Sequence, residues 1–178
     1  MAYTTPATAV SLAVLTAGWL NTYVRDNVAW LATDSPAVRV YHSVNLSVGN
    51  AAWGTMPYDS ERYDNAAMHS TSVNTERLVI PTGAGGKYIV GGGISWALSA
   101  AGNARSARIG VNATPTIVAW QVSFPSATVG SEVSMCSTYA MSATDYFIFQ
   151  LWQDSGGGLN IVSVAQYSPE FWCSWLRT

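Results

Sequence analysis

The sequence is short of charge. Only 10% of its 178 residues are Asp, Glu, Lys or Arg, where soluble domains carry about 25%. Lys87 is the single lysine, and the formal net charge is −2. A general nucleic-acid binder needs a basic footprint to neutralise phosphates, and none is present. No run approaches the roughly 18 apolar residues of a membrane helix, so no membrane insertion is expected. Ala7–Leu20 is mildly apolar, but Met1–Ala7 carries no Lys or Arg, so a secretory leader is not expected either. The two cysteines, Cys136 and Cys173, lie far apart. They read as buried thiols of a protein folded in a bacterial cytoplasm, with a disulfide as the alternative.

Apolar and aromatic residues are abundant instead: 49% of the chain is hydrophobic, with eight tryptophans and nine tyrosines. The polar surface must therefore come from Ser, Thr, Asn, Gln and Gly. Such a surface repels its own copies weakly, which suits a chain that lives in an assembly. The length fits one domain with an appendage.

The chain divides at Ala32–Pro36, into residues 1–35 and 36–178. Met1–Leu15 has no clear period and reads as extended. Thr16 is a candidate N-cap, since its hydroxyl can accept from an orphan backbone N–H. Leu20, Tyr23, Val24, Asn27, Val28 and Leu31 follow at helical spacing, flanked by Trp19 and Trp30. Pro36 ends that helix by forcing Ser35 out of the α region. A helix of about four turns is not stable alone in water, so its apolar stripe must pack on something.

From Val38 the period becomes two. Val38, Val40, Val44, Leu46 and Val48 share one face of a single expected strand, with His42. A long loop, Gly49–Thr75, follows. Further strands are expected at Arg77–Ile80, Lys87–Ser99, Ala107–Asn112, Ile117–Phe124, Glu132–Met141, Tyr146–Gln153, Leu159–Val164 and Phe171–Leu176, separated by Gly, Pro, Asn and Ser turns. The fold class is mostly β: a sandwich or jelly roll behind a short N-terminal extended arm and α-helix.

The order of signals in the head resembles the C1q/TNF-like jelly-roll family. Leu78-Val-Ile-Pro81, then Gly85-Gly86-Lys-Tyr88-Ile-Val90 with Trp96 beyond, is similar to that family's strand, glycine turn and following strand. Ala143-Thr-Asp145 with Tyr146–Gln153 resembles its "G-D-x-hydrophobic" strand, although Thr144 stands where the family usually has glycine. Ser155-Gly-Gly157 resembles the next hairpin, and Ser168–Leu176 the closing strand. In the arm, Leu20-Asn21-x-Tyr23-x-Arg25-Asp26-Asn27 resembles an N-terminal segment of tail, fibre and other virion proteins of tailed bacteriophages. That resemblance implies a non-enzymatic virion protein. Leu20, Asn21, Tyr23, Arg25, Asp26 and Asn27 would dock on other virion proteins, with the head displayed on a tail or fibre tip or on the capsid. The competing reading is a secreted bacterial carbohydrate-binding or adhesin module.

No catalytic, cofactor or metal site is expected. A hydrolase needs nucleophile, base and orienter within reach of each other. His42 sits on the apolar face of a strand, and His69 lies in a Ser/Thr-rich loop where a solvated side chain is expected. Asp59, Glu61 and Asp64 match no calcium-loop spacing. Gly83–Lys87 fails the phosphate-loop spacing and reads as a turn. Trp53, Tyr58 and Tyr63 in the long loop, and Trp120, are candidates for stacking on a host glycan or contacting a host protein.

Tyr146–Gln153 carries large apolar groups on both faces: Phe147, Phe149 and Leu151 on one, Tyr146, Ile148 and Trp152 on the other. One face alone can meet the sandwich core, and a contiguous apolar patch is rarely left to water. These six residues are the expected trimer interface, a homotrimer being what the C1q/TNF-like resemblance implies.

Overall fold

A computed structural model describes residues 4–8, 14–164 and 167–177. Two antiparallel sheets face each other. Across the first run β4 (Ser60–Asp64), β1 (Ala37–Tyr41), β12 (Glu170–Arg177), β6 (Gly86–Trp96) and β9 (Ser131–Met141). The short β11 (Leu159–Ile161) and β2 (Leu46–Val48) attach at the Trp96 end of β6. The second sheet centres on β10 (Tyr146–Gln153). The short β3 (Gly54–Thr55) and β5 (Arg77–Val79) share one side of it, and β7 (Arg105–Val111) then β8 (Thr116–Ser123) follow on the other.

Strand alternation delivers the core. Val38 and Val40, Tyr88 and Val90, Ala107 and Ile109, Phe147 and Phe149, and Phe171 and Cys173 all point between the sheets and are fully buried. Each large side chain withdrawn from water this way stabilises the fold by about 1.5–3 kcal/mol. The ring of Tyr58 stacks on Phe171 at 5.8 Å. Gly92 falls at an inward position of β6, where a Cβ would come within 2.8 Å of the Phe149 ring. The missing side chain is what lets that ring lie on the strand.

The expected single strand Val38–Val48 is broken. The N–H and hydroxyl of Ser43 both bond the Asp59 carboxylate, at 2.9 and 2.7 Å, and His42 N–H donates to the Pro169 carbonyl. These bonds bend the chain between β1 and β2 and leave Val44 59% exposed. The expected long loop Gly49–Thr75 contains β3 and β4.

The N-terminal helix starts as the sequence indicates: Thr16 Oγ1 accepts the Trp19 N–H at 3.1 Å. It runs to Asp34, and Ser35 is extended before Pro36. Its α turns (Ala17–Leu20, Asp26–Ala29) alternate with wider π turns (Asn21–Arg25, Trp30–Asp34), and each wide turn shifts the helical phase. The single expected stripe therefore splits. Asn27 and Trp30 are buried, with Trp30 edge-on to Trp175 of β12 at 4.6 Å. Leu20, Val24, Val28 and Leu31 remain 43–59% exposed. Much of the expected extended segment, residues 1–3 and 9–13, lies outside the described residues.

Candidate functional site

Neither histidine is arranged as a base. His42 Nδ1 lies 3.7 Å from Asp59 Oδ2 and makes no hydrogen bond, and Ser43 Oγ donates to Asp59 itself. A serine bonded to the carboxylate rather than to the imidazole is not an activated nucleophile. The His69 side chain, expected in solvent, is fully buried. Its Nδ1 lies 2.9 Å from Glu61 Oε1 and its Nε2 lies 3.1 Å from the Thr75 carbonyl oxygen. His69 thus staples its loop to β4, because polar partners make burial affordable for a ring that the local sequence would leave wet.

The three loop carboxylates are committed separately: Asp59 to Ser43, Glu61 to His69, and Asp64 to the backbone N–H groups of Ala66 and His69. Among the described residues, no three His, Cys, Asp or Glu side chains gather as a metal ion requires. Cys173 is buried, and burial pushes its thiol pKa well up. Cys136 is exposed, against expectation, and both are free. Position 136 falls on the outward face of β9, opposite Gly91.

The residues expected to dock the arm fall into four groups. Asn27 is buried and turned inward, bonded to both backbone groups of Thr4 and to the Tyr23 carbonyl. Tyr23 packs on Trp19 at 5.3 Å. Arg25 and Asp26 pair with each other on the surface at 2.8 Å. Asn21 is exposed, and Leu20 opens the exposed apolar stripe.

The expected receptor residues do not converge. Tyr58 is a core residue with no exposure, so it contacts nothing outside the chain. Tyr63 stands 47% exposed on β4 of the first sheet. Trp53 belongs to the outer face of the second sheet. There it meets Trp120 edge-on at 6.1 Å, and the two close a small cavity of about 200 Å3 with Trp152, Ser106, Ala104 and Val122. Trp120 Nε1 donates to Ser106 Oγ at 2.6 Å. The Arg108 guanidinium lies 3.9 Å from the centre of the Trp53 ring, and its Nε donates to Gln150 Oε1. The register explains the gathering: Trp152 is opposite Ser106, and Arg108 stands between Gln150 and Trp120. Sequence reading missed Trp152 and Arg108 for this site. The outward alternation of β10 was the available signal, but cross-strand partners 12 to 46 residues away decide which side chains meet.

The six residues expected at a trimer interface also divide. Phe147, Phe149 and Leu151 fill the core, with 0–1% exposure, and cannot meet another copy. On the outward face, Ile148 is only 5% exposed, the Arg77 guanidinium covers Tyr146 at 4.4 Å, and Trp152 lines the cavity just described. That face is largely closed by its own sheet. Exposed apolar groups are found instead where β8 passes to β9: Phe124 is 83% exposed and Val129 67%.

The outer face of the first sheet holds an open groove of about 670 Å3. Its floor is bare backbone at Gly92 and Gly93, and its walls include Trp172, Glu132 and Ser134. Trp172 lies over Gly91, its cross-strand partner. Glu170 closes one side, bonded by both Arg39 and Arg62.

No family model matches this sequence, and no curated protein does. Solved structures do match by shape. The globular domain of zebrafish complement 1qA protein superposes with a TM-score of 0.56 at 14% identity, covering 80% of this chain and 99% of that one. Eiger TNF from S. frugiperda gives 0.58 at 13% identity, over 80% and 93%. Murine APRIL gives 0.59 at 5% identity, over 80% and 99%. The chain has a C1q/TNF-like jelly-roll fold, and at these identities the likeness defines the fold alone.

Proposed function

We propose that this chain is a non-enzymatic structural protein of a tailed-bacteriophage virion. Three copies assemble through their jelly-roll heads, the N-terminal helix docks on other virion proteins, and the head is displayed at a tail or fibre tip or on the capsid. The observation that carries this reading is the exposed stripe Leu20, Val24, Val28 and Leu31, turned away from the chain's own head. Four large apolar groups in line on one helix call for a partner, and they lie within the segment that resembles virion docking arms. The absence of a competent nucleophile–base pair around His42 supports a non-enzymatic role, as does the likeness to complement and TNF-type folds.

Self-association is assigned to a heterologous contact. Phe124 and Val129 of one copy enter the glycine-floored groove of the next, and a cyclic arrangement of three closes the ring. Light scattering on the purified protein should give a mass three times that of the chain, and Phe124→Asp should reduce it. A monomer at micromolar concentration rejects the trimer. Antibody labelling of the head on virions, imaged in negative stain, tests the location. Label absent from particles rejects the virion role.

A further inference from the structure

The outer face of the second sheet carries an unassigned charge beside an aromatic wall. Arg25, Arg39, Arg62, Arg77 and Arg105 each lie within 4 Å of a carboxylate. Arg108 has none among the described residues. It is half-buried, held 3.9 Å from the centre of the Trp53 ring, and its one side-chain bond, from Nε to Gln150, leaves both terminal amino groups without an acceptor among the described residues. A partly desolvated guanidinium whose fork is free is a ready partner for a planar anion. Burial lowers its pKa, the direction expected of a cation waiting for its counter-charge.

Beside it, Trp53, Trp120 and Trp152 enclose a cavity of about 200 Å3. That is below the roughly 300–1,000 Å3 of a drug-sized site and suits a single six-membered ring. Indole faces are electron-rich and take C–H groups carrying partial positive charge, as one face of a pyranose presents. Ser106 adds a hydroxyl to the lining. Trp120 is 64% exposed, so the wall is open to solvent.

We propose that this face binds an acidic saccharide: the apolar face of a uronic-acid-type ring stacks in the tryptophan cavity and its carboxylate takes the fork of Arg108. The inference deepens the display role proposed above, resting on it only for the head being exposed, and the site is present in the isolated protein.

The test uses the purified full chain with oligogalacturonate and, as its partner probe, the methyl ester of the same oligosaccharide. Binding is read by tryptophan fluorescence and by saturation-transfer NMR. The acid binds and perturbs tryptophan emission, and the ester binds at least about tenfold more weakly. Arg108→Gln brings the acid down to the level of the ester, Trp120→Ala abolishes both, and Lys87→Gln, at an exposed cation outside both sites, changes neither. Trp120 is mostly exposed, so its replacement leaves the fold intact, and melting curves of each variant verify this. No binding of either probe, equal binding of acid and ester, or displacement of the sugar by an aspartate-rich peptide at lower concentration each overturns the assignment. A virion lacking the protein would remove the display role while leaving these solution results unchanged.

Discussion

Asn27 grips Thr4 by both of its backbone groups. Oδ1 accepts the Thr4 N–H at 2.9 Å, and Nδ2 donates to the Thr4 carbonyl at 2.7 Å. The side chain imitates one rung of a β-ladder, so a segment with no regular structure is fixed to the helix 23 residues further on. The Asn27 side chain is almost fully buried, so Asn27→Ala leaves two backbone groups without partners. Each lost bond costs about 0.5–1.5 kcal/mol. Hydrogen exchange at Thr4 and proteolysis within residues 4–8 should both accelerate, with the head unchanged. Unchanged protection at Thr4 would show that the arm is held by something else.

The helix touches the head through Trp30 on Trp175. Deleting residues 1–33 removes that contact but no strand, so a soluble, folded head should remain. An aromatic pair adds about 0.5–1.5 kcal/mol beyond its buried area, and in a domain of this size each kcal/mol is about 2–4 °C of melting temperature. A drop of several degrees is expected by calorimetry, together with loss of incorporation into particles. Arg25→Ala should weaken incorporation and leave the melting temperature unchanged, because the Arg25–Asp26 pair is on the surface and such pairs contribute about 0–1 kcal/mol. A truncated head that assembles normally would remove the anchoring role.

Strand periodicity carried the architecture, and β10 shows where it stopped. Its alternation separated Phe147, Phe149 and Leu151 from Tyr146, Ile148 and Trp152 correctly, because side chains on a strand must alternate. It could not say that Arg77 would cover Tyr146 or that Trp53 would stand beside Trp152, since that depends on which strands lie beside β10. The same holds for His69: a loop rich in serine reads as wet, and only the distant Glu61 and Thr75 make its burial possible. Helix capping by Thr16 was legible because it is local. The split of the apolar stripe was not, because π turns shift the phase without a distinct sequence signal.

Asp154 should set part of the acid limb of stability. The N–H groups of Ala104 and Asn103 donate to its Oδ1 at 3.0 and 2.8 Å, and with Asn103 Nδ2 and the nearby Arg105 they hold its carboxyl below the usual range. A group whose folded pKa is depressed contributes stability above its unfolded pKa, near 4, and that contribution is lost as pH falls through the folded value. Melting temperature should therefore fall between about pH 4 and pH 2, and Asp154→Asn should flatten that slope while lowering stability at pH 7. A variant with the same acid slope as the parent would show that Asp154 is not part of it.

Thr144 occupies the position where the resembled family usually has glycine, and its backbone explains that preference. Its φ is +71°, in the left-handed region, which costs an L-residue about 1–2 kcal/mol and is least tolerable for a β-branched one. The turn is held there by its neighbours. Thr144 N–H donates to the Ile80 carbonyl, and Ser142 N–H donates to Asp145 Oδ2. Asp145 Oδ1 also accepts from Asn112 Nδ2. None of these bonds uses the Thr144 side chain, which is exposed. Thr144→Gly should therefore keep every bond and relieve the strain. The extra freedom of glycine in the unfolded chain offsets about 0.5–1 kcal/mol of that relief. A net gain of about 0.5–1 kcal/mol is expected in urea denaturation, with an unchanged m-value. Thr144→Pro, which cannot adopt this φ and lacks the N–H, should instead be strongly destabilising. If glycine lowers the midpoint, the turn is not strained at Thr144, and the threonine side chain holds a contact of its own.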